Sequence, residues 1–127
     1  MQRLLPETLA LYVGLARPIL IETARKGAKI KYGELIGRMD GPGRGYIAEV
    51  LESIADYEQA ANRPKLTSVV VRSDTEAVGG GFFGLKGTPA NLLRTTPGEL
   101  QSAWLSEADL GYWLKELNAA YEYWKSD

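Results

Sequence analysis

Arg38 and Arg44 bracket the turn Asp40-Gly41-Pro42-Gly43-Arg44-Gly45, which leads into the longest amphipathic segment of the chain. A helix that starts after such a turn offers free backbone N–H groups and the positive end of its dipole, a setting that suits a phosphate. Arg44 and Tyr46 fall at that N-terminus, the end with which a recognition helix reads bases. Lys31 precedes the turn, and Arg63, Lys65 and Arg72 follow the helix. Cationic side chains of this kind neutralise backbone phosphates whatever the base sequence. The spacing therefore nominates Lys31, Arg38, Arg44, Tyr46, Arg63, Lys65 and Arg72 as contacts to double-stranded nucleic acid.

The helix behind Arg44 points to other chemistry. Helical spacing places Glu49, Glu52, Asp56 and Glu58 on its outer side, where they would meet phosphate with like charge. Only its N-terminus suits DNA. An acidic face of Glu49, Glu52 and Asp56 fits a protein partner with a basic groove equally well. A protein-interaction module is therefore the alternative, as an adaptor or inhibitor of a nucleic-acid-handling complex.

What is missing narrows the chemistry further. The chain has no cysteine and no histidine. Thiolate nucleophiles, disulfides, cysteine-ligated zinc, imidazole bases and Ser-His-Asp triads are all excluded. No pair of acids stands out from ordinary helix-surface acids. The expectation is a non-enzyme with no metal and no cofactor. Gly79-Gly80-Gly81-Phe82-Phe83 permits close approach of a ligand or of backbone. It is not a phosphate loop, because no Gly-Lys-Ser/Thr follows. It reads as a hairpin bulge with Phe82 or Phe83 pinning the core.

The positioning elements must come from one domain. The chain has 127 residues, 45% of them hydrophobic and 24% charged, enough for a single core and against wholesale disorder. Residues 1–127 are read as one unit, with a core at about 18–83 and a helical extension at about 97–125. The net charge of -1 hides a segregation: residues 1–45 carry +4, residues 46–62 four acids and no base, residues 63–94 +3, and residues 95–127 -4. The start has no secretory pattern. The apolar run Leu9 to Ile21 is broken by Gly14, Arg17 and Pro18, too short to span a bilayer. A cytoplasmic protein without membrane contact is expected.

Periodicity predicts a helix over 7–16, a second from Pro18 to Lys26 stopped by Gly27, and an extended stretch over 28–32. A short helix follows over 33–39, then a long one over 46–62. Its buried stripe would be Ile47, Val50, Leu51, Ile54, Tyr57 and Ala61. The valine run in 66–72 reads as a strand, with a return strand over 78–83. The last helix, about 106–125, carries Leu110, Trp113, Leu114, Leu117, Tyr121 and Trp124 on one stripe, for core packing or a homodimer seam. Three helices followed by a hairpin give an α+β fold, a winged helix with added N- and C-terminal helices.

Ile30-Lys31-Tyr32-Gly33-Glu34-Leu35-Ile36 resembles the I-T-Y-G-E-L-A segment that enters the helix-turn-helix of alkylguanine-DNA alkyltransferases and alkyltransferase-like proteins. The glycine-rich turn and the helix holding Ile47-Ala48-Glu49-Val50-Leu51 lie where that family has its recognition helix. The resemblance spans about residues 18–83 and implies a winged-helix fold that binds DNA. The family's Pro-Cys-His-Arg box is absent, so alkyl transfer is excluded. Lys31 stands where the family has Thr, which removes half of a capping box with Glu34.

Overall fold

A computed structural model describes residues 4–41, 44–73, 78, 82 and 107–125. Pro6 opens helix α1 (Pro6–Arg25), where its missing N–H would have no intrahelical partner. Glu7 in the first turn and Arg25 in the last complement the helix dipole. The helix runs through Pro18, where the sequence predicts two pieces. Pro18 lies on the solvent side, so its ring and the carbonyl it leaves unbonded disturb no core contact. Gly27, at φ 64°, then closes the helix: its N–H donates to Ala24 O at 3.0 Å, and the Ala28 N–H to Thr23 O at 3.0 Å. This double bond pattern satisfies carbonyls that a bare helix end would leave open.

Strand β1 (Ile30–Lys31) follows, then helices α2 (Tyr32–Met39) and α3 (Arg44–Ala60). Asp40 ends α2 in the left-handed region at φ 59°. Of the expected stripe of α3, Ile47, Val50, Leu51 and Ile54 are buried. Tyr57 and Ala61 are exposed instead, and Glu58, expected outside, is fully buried.

The valine run does not form one strand. Leu66–Val69 is a 3-10 turn, and only Val70–Val71 is extended, as β2. The Ser68 Oγ–H donates to Lys65 O at 2.7 Å and the Ser68 N–H to the same carbonyl at 3.1 Å, so Ser68 holds the turn against the β preference of Val69. The described partner of β2 is β1, in parallel, with Ile30 opposite Val70 and Lys31 opposite Val71. The described residues are thus mostly helical with one small two-stranded parallel sheet, in keeping with the expected α+β class. The expected return strand of the wing lies outside the described residues apart from Val78 and Phe82, both buried.

Helix α4 (Glu107–Trp124) closes the core. Trp113 and Leu117 are buried, whereas Leu110 and Leu114, expected on the same stripe, are partly exposed at 40% and 41%. Polar contacts fix α4. The Trp113 indole N–H donates to Ser68 O at 2.8 Å, the Tyr121 hydroxyl donates to Ala28 O at 2.8 Å, and Glu116 Oε1 accepts the Lys65 N–H at 3.3 Å. Buried polar groups need such partners to remain inside a core. Phe82 meets Tyr112 of α4 with ring centroids 5.9 Å apart. No described helix is long and apolar enough to cross a membrane.

Candidate interaction surface

The seven nominated residues do not share one environment. Arg44 opens α3, and Tyr46 lies half-buried in its first turn. Arg38 is exposed near the C-terminal end of α2. Lys31 is exposed on β1 opposite Val71, and Arg72 is half-buried just after β2. The strand pair therefore sets Lys31 against Val71, and Arg72 follows β2 one position on, where strand alternation turns a side chain to the other face.

Arg63 and Lys65, nominated as contacts to double-stranded nucleic acid, are turned inward: Arg63 is half-buried and Lys65 buried. Arg63 follows the closure of α3: Asn62 sits at φ 59°, and the Arg63 N–H donates to Glu58 O at 2.9 Å. That closure folds the arginine back on its own helix, and its Nε–H donates to Glu58 Oε1 at 2.6 Å. Arg17 of α1 reaches the other oxygen, its Nε–H donating to Glu58 Oε2 at 2.7 Å. A fully buried carboxylate is thus held between two guanidinium groups, one from α1 and one from just beyond the end of α3. The bond to Glu58 raises the Arg63 guanidinium above its ordinary value.

Tyr57 covers this cluster. Its ring lies 5.1 Å from the Arg17 guanidinium carbon and 5.2 Å from that of Arg63, while Trp124 of α4 lies 5.5 Å from Arg17. Stacked, planar arginines shed water more readily than lysines, which suits them to such a half-buried post. Sequence reasoning does not nominate Arg17. Its signal is its place as the lone charge within the apolar run Leu9 to Ile21.

Lys65 is buried, and burial lowers its ammonium below the ordinary 10.5, against the opposing pull of Glu116 and Asp56. Of the acidic face, Glu52 and Asp56 are exposed. Glu49 is half-buried, and its Oε1 accepts the Leu4 N–H at 3.0 Å. The described solvent side of α3 after its first residue therefore carries acid and no base. Among the described residues, no cluster of three or more acidic side chains is arranged to hold a metal ion. Comparisons with protein-family models, with curated proteins and with solved structures gave no match to this chain.

Proposed function

We propose that this chain is a non-catalytic protein-interaction module that lays its α3 face against a basic surface of a partner. The observation that carries the reading is the sign of that face. Glu52 and Asp56 are exposed, no cation occurs from Gly45 to Ala60, and two cations expected beside the helix, Arg63 and Lys65, are turned into the fold. Such a helix would meet a phosphate backbone with repulsion, whereas a basic protein groove attracts it and gains on-rate. A binding role also fits a chain with neither cysteine nor histidine.

Double-stranded nucleic acid is the second reading, favoured by the exposed cations Lys29, Lys31 and Arg38 on and around β1 and α2. The tagged chain, used as bait, separates the two. The variant Glu52→Lys/Asp56→Lys should lose the partner that wild type retains, while Lys31→Glu should keep it. Retention by the first variant and loss by the second would overturn the acidic-face reading.

A further inference from the structure

Helix α1 is apolar on both sides. Its inner side supplies Ala16 and Leu20 to the core. From Thr8 to Ile21 it holds a single charged residue, Arg17, and that side chain is bonded to Glu58. At about 100° per residue, Leu11, Gly14, Leu15 and Pro18 fall together on the side away from the core, and all four are exposed. Leu11 is 59% exposed and Leu15 41%. An ordinary solvent-facing helix surface carries charge at such positions.

The middle of this stripe is flat. A Cβ on Gly14 would meet nothing within 4 Å, so no contact within the described chain calls for glycine there. Glycine inside a helix weakens it. Pro18 lacks the N–H that would bond the Gly14 carbonyl, which leaves that backbone acceptor on the same exposed side. Two features that cost an isolated helix therefore coincide on a surface to which a second helix can come close. The ends of the stripe carry opposite net charge: Glu7 is exposed at the start of α1, and at its end Arg25 is exposed beside Glu22, whose charge Lys26 offsets at 3.5 Å.

The geometry points to a second copy of this chain as the occupant, packed antiparallel on α1 about a two-fold axis at the level of Ala16. In that arrangement Glu7 of each copy meets Arg25 of the other, at two points about 27 Å apart along the helix. Pro18 of each copy comes over the bare backbone of Gly14 in the other, with Leu15 beside it. A parallel pair would instead oppose Glu7 to Glu7 and Arg25 to Arg25. The two-fold arrangement closes on itself, so association stops at two copies. This inference is independent of the acidic face of α3, because it uses a different helix surface.

The absence of cysteine allows a direct test on the full chain. Glu7→Cys and Arg25→Cys are made singly, mixed, and oxidised mildly. Antiparallel packing predicts a disulfide between the two different variants, with the second Glu7–Arg25 pair intact, and little cross-linking within either variant alone. Light scattering after gel filtration should give two copies for wild type and one for Leu15→Glu, with circular dichroism unchanged. Glu7→Arg and Arg25→Glu should each weaken the dimer, and their combination should restore it. A wild type that stays monomeric at high concentration, a dimer indifferent to Leu15→Glu, or efficient cross-linking of the Glu7→Cys variant to itself would overturn the proposal.

Discussion

Arg17 and Glu58 lie 41 residues apart in sequence and meet at 2.7 Å, the guanidinium of α1 bonded to a carboxylate with no solvent exposure. Arg63 takes the other carboxylate oxygen, and Tyr57 lies over both guanidinium groups. This cluster ties α1 to α3 at the edge of the core.

Removing Arg17 leaves a buried carboxylate with one partner. Arg17→Met should destabilise the fold by roughly 2–3 kcal/mol, below the range for fully buried pairs because the arginine keeps 26% of its side chain exposed. Glu58→Met alone should also destabilise. The double variant should cost less than the two single changes together, by about 1–2 kcal/mol, since neighbours in one network are not additive. Urea denaturation of the four proteins measures this. Strict additivity would mean that the pair contributes no coupling.

Lys65 makes stability depend on pH in a fixed direction. Burial lowers its folded-state value below the ordinary 10.5 of the unfolded chain. Between the lowered value and 10.5 the unfolded chain binds more protons than the folded one, so stability rises with pH. Below the lowered value the cost of burying the charge is present in full. Wild type should therefore gain stability relative to Lys65→Met as pH rises toward 10.5 and level off above it. Paired urea titrations at neutral and alkaline pH read the difference, and subtracting the variant cancels the opposite trend of Tyr121, whose half-buried hydroxyl lies above its ordinary 10.0. A difference independent of pH would contradict the assignment.

The turn between α2 and α3 depends on Gly41. Its φ is 133°, and a Cβ there would lie 2.6 Å from the Tyr12 hydroxyl oxygen. Gly41→Ala should destabilise by about 1–3 kcal/mol through backbone strain and this clash. Gly37 provides the control, since a Cβ on it meets nothing within 4 Å inside α2. Gly37→Ala should stabilise by about 0.5–1 kcal/mol. Thermal unfolding of both variants checks the contrast, and an equal response would refute the role given to Tyr12.

Local rules make α2, α3 and the Gly27 stop legible in the sequence, because capping and periodicity act over a few residues. Where tertiary context decides, they fail. Pro18 reads as a break, yet α1 continues because that position faces solvent. The valine run reads as a strand, yet Ser68 and Trp113 hold its first half as a 3-10 turn. Glu58 reads as a surface acid because its partner Arg17 is distant in sequence, and periodicity records no long-range pair. The candidate surface shares that weakness. Lys31 and Arg38 are exposed as their sequence context suggests, while Arg63 and Lys65 read as surface cations although both are drawn inward.

The sign of the working surface is tested most directly by fluorescence anisotropy with two labelled probes, a random-sequence duplex DNA and a lysine-rich peptide, across a range of salt. The acidic-face account predicts salt-sensitive binding of the peptide that Glu52→Lys/Asp56→Lys abolishes, and no saturable binding of the duplex even at low salt. Duplex binding by wild type, with a salt slope that falls by about 0.9 for each phosphate no longer neutralised in Lys31→Glu or Arg38→Glu, would contradict it and make nucleic acid the ligand.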